Sequence, residues 1–425
     1  MEQEAAIRTP GIAIGEAGDS TAAHQAPAAR KVRLGFILTA TALIGLLHAF
    51  IGVQILPALD AGSGANALGI GLLVLSTLLI PAGLAARVLN GRVSERVATG
   101  LAWTGLIAAG FASSLLVLTL LRDLLLLPAM VFLDYAPVLR MQHYSAWGAL
   151  WLALAFSAIG LFNARRAPKV VEVTIPLSGL PEALHGFRIA QISDIHVGPT
   201  IKRAFLERIV AKVNALDAQL VAITGDLVDG SVHELSGHTD ALQALQSTHG
   251  SFFVTGNHEY YSGAEDWVNE LRRLGIRVLQ NEHAVLRHQG ATLVLAGVTD
   301  YSAHHFDQRR RSDPQAALAG APAAAARVLL AHQPRSAAAA EAAGFDLQLS
   351  GHTHGGQFFP WNYFVRMQQP YTAGLHRLNK LWIYTSRGTG YWGPPKRIGA
   401  PAEITLLRLV PLGHGNARGQ KIGAR

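Results

Sequence analysis

The chain has 425 residues, half of them hydrophobic and only 15% charged, with a net charge of +8 and no cysteine. That length exceeds one ordinary core, so two structural units are expected. Soluble chains average about a quarter charged residues, so part of this one is expected in lipid. The lack of cysteine excludes disulfides, thiolate metal sites and a Cys nucleophile, and it leaves the compartment open.

Residues 1–33, rich in Ala, Gly and charge, read as a disordered tail. Four apolar stretches follow within 34–166, at 34–56, 67–86, 99–121 and 145–162, and none holds Asp, Glu, Lys or Arg. A membrane span needs about 20 such residues. Four uncharged stretches in so short a segment favour a four-helix transmembrane region over the core helices of a soluble protein. A fifth apolar run, 124–133, is shorter and follows Arg122 and Asp123. It reads as an interfacial or re-entrant piece; a fifth crossing would reverse the side on which everything after it lies.

Basic residues flank these stretches unequally. Arg30, Lys31 and Arg33 precede the first, Arg87, Arg92 and Arg96 separate the second from the third, and Arg165, Arg166 and Lys169 follow the fourth. The alternate connections carry only Arg122 and Arg140. The positive-inside rule then puts the N-terminus and the C-terminal half in the cytoplasm, with the spans in the inner membrane. A cleaved signal peptide over 34–56 is disfavoured by the later spans and by the absence of a twin-arginine pair. The net positive charge thus belongs largely to helix flanks, and no nucleic-acid partner is expected.

Beyond Arg166 the texture changes. Short β-rich runs at 187–192, 220–224, 251–255, 292–298, 328–330, 347–349, 382–385 and 403–407 alternate with helical stretches, of which 205–216 is amphipathic. This alternation predicts an α/β layered domain over 170–412, followed by a basic tail at 413–425. The alanine-rich segments 316–326 and 337–343 read as helix or linker.

In layered α/β folds, ligands sit beyond the carboxyl ends of strands, and the unusual residues of this chain cluster there. Asp194-Ile195-His196 follows the first run and Gly225-Asp226-Leu227-Val228-Asp229 the second. Gly256-Asn257-His258-Glu259 follows the third, His332 follows 328–330, and Gly351-His352-Thr353-His354 follows 347–349. One strand-end Asp is more often a helix cap than a ligand; the ordered set is far more specific. Side-chain alternation lets Asp194 and His196 reach one ion, and likewise His352 and His354. Carboxylate, amide and imidazole donors without thiolates suit Mn, Fe, Zn or Co. Seven candidate ligands are too many for one ion with an open position. They suit two ions sharing a bridge, which can clamp both oxygens of a phosphoryl displacement.

In order and residue type, these blocks resemble the calcineurin-like metallophosphoesterase superfamily over 189–354. The chain is most similar to the membrane-anchored bacterial branch, which Tyr384-Thr385-Ser386-Arg387-Gly388 and Ala402-Glu403-Ile404 also resemble. The resemblance implies a two-sheet sandwich flanked by helices, with two divalent metals, manganese foremost and Zn, Fe or Co as alternatives. It implies that Asp194, His196 and His354 hold the first ion and Asn257, His332 and His352 the second, with Asp226 bridging. His258 would contact the phosphate and protonate the leaving oxygen, and Asp229 would orient a ligand or His258. Glu259 stands where the family often has Asp, and no change of function is expected from it.

The membrane tether suits a lipid-linked phosphate. The resemblance includes enzymes that cleave the pyrophosphate of UDP-2,3-diacylglucosamine in lipid A biosynthesis, which supplies a specific candidate substrate. Soluble phosphodiesters or phosphomonoesters are the alternative, and a catalytically silent membrane sensor or scaffold is a third reading, disfavoured by the complete ligand set. Transport is disfavoured by spans without charge. His185, His233, His238, His249, His283, His288 and His376 read as surface or loop residues, and His304 and His305 as an insertion near the active face. Phe358, Phe359, Trp361, Tyr363 and Phe364, and Tyr391 and Trp392 with Lys396 and Arg397, read as core packing, with a membrane interface or amphiphilic substrate as the alternative.

Overall fold

The structure, a computed structural model, describes residues 34–85 and 94–413. The expected tail 1–33, Arg87, Arg92 and nearly all of the expected basic tail lie outside the described residues.

Four helices come first: α1 (Leu34–Leu59), α2 (Ser63–Ala85), α3 (Glu95–Phe132) and α4 (Tyr135–Arg165). All four are long and apolar enough to cross a bilayer, and only 11–28% of their apolar windows is buried inside the protein. Helices this apolar on their outer surface need lipid around them, so the chain is a membrane protein. Inside the bundle, small residues bring backbones together. A Cβ on Gly105 of α3 would lie 2.8 Å from the Cα of Gly83 on α2. Ile51 and Ile55 of α1, Leu115 of α3, and Ala146, Ala149 and Ala153 of α4 form a common core.

One expectation is corrected here. Residues 124–133 are not a separate interfacial piece; α3 runs on through Arg122 and Pro128 to Phe132, and α4 starts well before position 145. The helix continues because the Arg122 side chain, itself buried, is satisfied within the bundle. It donates to Asp123 Oδ1 (2.7 Å), Ser145 Oγ (3.0 Å) and the Gln142 carbonyl (3.1 Å). The third apolar helix therefore carries an arginine, and the described residues hold four helices long and apolar enough to cross a membrane.

From α4 the chain passes straight into β1 (Lys169–Leu177), then β2 (Arg188–Ile192), α5 (Arg203–Asn214), β3 (Leu220–Ile223), α6 (Val232–Thr239) and β4 (Ser251–Phe253). Next come α7 (Asn257–Ser262), α8 (Ala264–Arg273), β5 (Arg277–Val278), β6 (Glu282–His288), β7 (Ala291–Gly297), α9 (Pro314–Ala317) and β8 (Ala326–Leu330). The last elements are α10 (Ala337–Ala343), β9 (Leu347–Ser350), α11 (Trp361–Gln368), β10 (Gly374–Leu378), β11 (Leu381–Thr385) and β12 (Glu403–Pro411). The alanine-rich stretch 316–326 is mostly neither helix nor strand, whereas 337–343 is helical, as expected.

These strands build two six-stranded sheets, ordered β1-β12-β2-β3-β4-β5 and β10-β11-β9-β8-β7-β6. Within the first, β2, β3, β4 and β5 run parallel; within the second, β7, β8, β9 and β11 do. Central parallel strands are covered on both faces and so read as unbroken apolar runs. Leu220-Val221-Ala222-Ile223 is one such run, entirely buried. Ile189, Leu220 and Phe252 meet Leu295, Val328 and Leu349 in the core between the sheets. The outer face of the first sheet packs under Phe205, Leu206 and Ile209 of α5 and Trp267 and Leu271 of α8. The second sheet packs under α10.

Candidate metal centre

The carboxyl ends of β2, β3, β4, β8 and β9 converge, and the loops leaving them are laced together by main-chain bonds. Asp194 N donates to Gly225 O (3.0 Å), His196 N to Asp226 O (3.2 Å) and Gly351 N to His332 O (2.9 Å). The backbone is left-handed at Asp194, His196, Asp226, His352 and His354, with φ between 50° and 71°. Each such residue costs on the order of 1 kcal/mol, and strain shared by five adjacent polar residues marks a site held in place for its chemistry. Gly351 is required by space: a Cβ there would lie 2.2 Å from Asp194 Oδ2.

Three donor groups result among the described residues, each with its donor atoms within 4.8 Å of one another. Asp194, His196 and His354 form a first cluster, Asp226, His332 and His352 a second, and His258 joins His196 and Asp226 in a third that overlaps both. In the first cluster, His196 Nε2 faces His354 Nε2 at 3.1 Å, and His354 Nε2 lies 3.6 Å from Asp194 Oδ1. In the second, His352 Nδ1 faces His332 Nε2 at 3.2 Å. Asp226 Oδ2 lies between them, 3.2 Å from His332 Nε2 and 3.9 Å from His196 Nε2. His332 Nδ1 donates to the Thr224 carbonyl at 2.8 Å, which turns Nε2 towards the site.

This donor set fits two divalent cations on the evidence of its own hydrogen bonding. Asn257 Oδ1 is buried without a hydrogen-bond partner, an arrangement natural proteins rarely leave uncompensated. Facing imidazole nitrogens at 3.1–3.2 Å likewise suit a shared cation better than each other. Oxygen and imidazole donors together favour ions of intermediate hardness.

The electrostatics divide the site. Burial raises the Asp194 carboxyl, and although burial disfavours a charge on His332, Asp226 outweighs it and raises that imidazole well above its ordinary value. Burial opposes ionisation of Asp226, but the nearby His332, His258 and His196 outweigh it and hold this carboxyl well below the usual range. Burial, aided by the charge on His332, pushes His352 down to about 3. Burial, His196 and Arg397 hold His354 well below its ordinary value, so both imidazoles are neutral, as ligands must be. His258 behaves oppositely. Burial disfavours its charge, yet Asp226 and Asp229 outweigh burial and raise it to about 9.

His258 stands beside the clusters, its ring centroid 4.7 Å from that of His196. Its Nδ1 meets Asp229 Oδ1 at 2.5 Å, and the same oxygen is 3.1 Å from His196 Nδ1. Asp229 thus orients both a ligand and His258, where sequence reading left the choice open. Asp229→Asn is expected to weaken metal affinity and turnover together by about 10–100-fold, measured by metal titration and by steady-state rates on the same preparation.

The structure therefore brings eight of the nine expected site residues together, and the ninth, Asn257, directly precedes His258 in the chain. It also adds Glu259, to which sequence reading gave no role. Glu259 is fully buried and accepts from Gly256 N (2.6 Å), Asp226 N (3.0 Å), Leu227 N (2.8 Å) and Val228 N (3.3 Å). It clasps the turn that carries Asp226. Burial and the Asp226 charge push its carboxyl up to about 7, against those donors. Glu259→Ala leaves these N–H groups unsatisfied and is expected to destabilise the domain by about 3 kcal/mol, a fall in thermal midpoint of roughly 6–12 °C. Arg397 is a second addition. Its guanidinium donates to the carbonyls of Arg387 (2.8 Å) and Ala400 (3.0 Å) and lies 3.0 Å from His354 Nδ1. Glu403 holds Arg387 at 2.8 Å, which ties together the two C-terminal motifs.

The calcineurin-like phosphoesterase pattern matches residues 187–356, the stretch that contributes all nine side chains. An uncharacterized metallophosphoesterase of Helicobacter pylori (strain J99) is 37% identical over 286 residues, covering 66% of this chain and 74% of that protein. The chain belongs to the calcineurin-like metallophosphoesterase family. Two other metallophosphoesterase relatives are vertebrate transmembrane proteins with a metallophosphoesterase domain. The one from Danio rerio is 40% identical over 269 residues, covering 61% of this chain and 62% of that protein. The one from Bos taurus is 38% identical over 273 residues, covering 61% of each. The chain spans about three-fifths of the length of these two relatives.

The remaining histidines divide. His249 Nε2 meets His288 Nδ1 at 3.1 Å, and both rings contact Phe187, a small cluster at the far end of the sheets from the metal site. The insertion carrying His304 and His305 does reach the active face, through Phe306. That ring packs on Tyr260 and Tyr261, and Tyr261 lies 5.3 Å from the ring of His258.

Proposed function

We propose that this metallophosphoesterase is a membrane-anchored hydrolase that cleaves a phosphoester or phosphoanhydride bond with two divalent cations, manganese first among them. The observation that carries this reading is Asp226 Oδ2, set between two three-residue ligand clusters. Asp194, His196 and His354 would hold one ion and Asn257, His332 and His352 the other. Two such ions supply Lewis acidity toward the phosphoryl oxygens and acidify water. Asp229 fixes the tautomer of His258 by engaging Nδ1, and Nε2 is turned to the clusters, 4.0 Å from Asp226 Oδ2. From there it would bind the phosphate and give its proton to the leaving oxygen.

The preferred substrate class is a lipid-borne phosphate, with UDP-2,3-diacylglucosamine as the specific candidate. The apolar helices and the exposed aromatic side chains beside the site support this choice. Arg96, Arg165, Arg166 and Lys169 at the domain-proximal helix ends support a cytoplasmic position for the α/β domain at the inner membrane.

The deciding experiment measures hydrolysis by detergent-purified protein after chelation and readdition of Mn²⁺, with bis-p-nitrophenyl phosphate and UDP-2,3-diacylglucosamine as alternative substrates. Mn²⁺-restored turnover of both supports the full reading. Turnover of the diester alone removes the specific substrate, and no turnover with Mn²⁺, Zn²⁺, Fe²⁺ or Co²⁺ returns the silent scaffold.

A further inference from the structure

Five large side chains on and just before α11 are left exposed by the described residues. Phe359, Trp361, Tyr363, Phe364 and Met367 are all exposed, Met367 at 84%, and no residue of α11 is buried. Core packing, the expected role of this cluster, holds only for Phe358. A contiguous apolar patch of this kind marks an interaction surface, and aromatic rings with one polar edge favour the membrane–water boundary.

The surroundings identify what covers it. The Gln357 side chain donates to the carbonyls of Trp392 (2.9 Å) and Pro394 (3.0 Å) and accepts from Trp392 N (2.9 Å). The start of α11 is thereby fastened to the loop 391–398, and that loop is seated in the transmembrane bundle. Lys396 Nζ donates to the Gly110 carbonyl of α3 (2.9 Å) and to Ser114 Oγ. Arg397 N donates to the Gly160 carbonyl of α4 (3.0 Å). Two glycines make room: a Cβ on Gly160 would lie 2.5 Å from Lys396 Cγ, and one on Gly110 would lie 3.2 Å from Pro394 Cβ. Lys396 and Arg397 are therefore buried anchors of the loop, and only Trp392 of the second aromatic-basic group is exposed.

Depth follows from the helix. The Arg165 guanidinium, in the basic segment that ends α4, lies 5.1 Å from the Trp103 ring. An arginine and a tryptophan together are the usual markers of the headgroup layer. Gly110 is seven residues beyond Trp103, about 10 Å further along the helix. The loop therefore runs from the level of those markers, where Arg165 donates to Tyr391 Oη (3.3 Å), to about 10 Å below it, and the start of α11 is fastened to it.

We propose that α11 lies in the headgroup layer of the leaflet that contacts the α/β domain, with the 391–398 loop reaching from that layer into the bundle. The metal centre would then open onto the bilayer edge instead of bulk water. Trp392 links the two, its ring 5.9 Å from that of His258. The consequence for substrate rests on the function proposed above: a phosphate carried on an acyl or isoprenoid chain reaches the site with its tail still in the membrane.

The absence of native cysteine makes the test direct. Met367→Cys, Phe364→Cys and, at the amino end of β3 on the opposite side of the domain, Asp217→Cys are each labelled with a nitroxide. The labelled proteins are reconstituted in nanodiscs of phosphatidylcholine and phosphatidylglycerol at about 3:1, a composition with anionic headgroups. Power saturation then compares access to oxygen, which concentrates in lipid, with access to a neutral nickel chelate, which stays in water. Oxygen access should exceed nickel access several-fold at positions 364 and 367, with the reverse at 217. Nickel access dominating at all three positions overturns the proposal. Turnover of bis-p-nitrophenyl phosphate in the same discs keeps the two readings apart. Lipid-like labels without turnover sink the phosphoesterase and keep the docking surface; turnover with water-exposed labels does the opposite.

Discussion

Asp226→Ala is expected to lose both metal ions and to lower turnover by about 10⁴-fold or more. Its Oδ2 lies near imidazole donors of both clusters, 3.2 Å from His332 and 3.9 Å from His196. Without it, two cations a few ångströms apart would repel each other with no anion between them. Loss of the Lewis acid from both sides of the reacting phosphate removes about 6 kcal/mol of transition-state stabilisation, the several kcal/mol typical of metal catalysis. The fold should survive, because the backbone of Asp226 keeps its own partners, Glu259 Oε2 on its N–H and His196 N on its carbonyl. The bond from His258 N to Asp226 Oδ1, 2.9 Å, and the contact of Oδ2 with His332 Nε2, 3.2 Å, are lost. Elemental analysis should therefore show less than one ion per chain in a protein whose circular dichroism is unchanged. Two retained ions, or turnover within tenfold of the wild type, would remove Asp226 from the bridging role.

The site was more legible in the sequence than the architecture around it, and for a physical reason. Metal ligands must be polar and must sit where strands stop, so they stand out against short, wholly apolar runs such as 220–223. Each central strand was visible for the same reason, being buried on both faces. The strands that escaped notice, β1, β5, β6 and β10, are the four edges of the two sheets. Edge strands carry polar and charged residues to discourage further pairing; β6 reads Glu-His-Ala-Val-Leu-Arg-His with alternating exposure, and β5 is only two residues long. Neither offers an apolar run to find.

The errors in the membrane half share one cause. Arg122 was read as the end of a span because a charge in lipid is costly. Three-dimensional packing answers that cost with Asp123, Ser145 and a main-chain carbonyl, partners drawn partly from another helix and invisible along the sequence. Lys396 is the converse case. It lies far from any span in the sequence, yet its ammonium ends against α3. The role of Glu259 is not legible along the chain, because three of the four N–H groups it gathers come from a turn some thirty residues earlier.

His258→Ala should separate binding of the metals from use of them. His258 joins only the donor group that it shares with His196 and Asp226, each of which already belongs to one of the two other clusters, and its Nδ1 is engaged by Asp229. Both ions should remain, and turnover should fall by about 10²–10⁴-fold, the usual value of a positioned general acid. The leaving group supplies the diagnostic. An alkoxide needs a proton as the bond to phosphorus breaks, whereas p-nitrophenolate is stable without one, so the deficit should be largest for alkyl esters and should shrink for p-nitrophenyl esters. Asp229 would still hold His196 through Nδ1, so metal affinity should change little, which distinguishes this variant from Asp229→Asn. An equal deficit on both leaving groups, with metal content intact, would make His258 a phosphate-binding residue and assign the proton to another donor. Loss of metal would instead place it among the ligands.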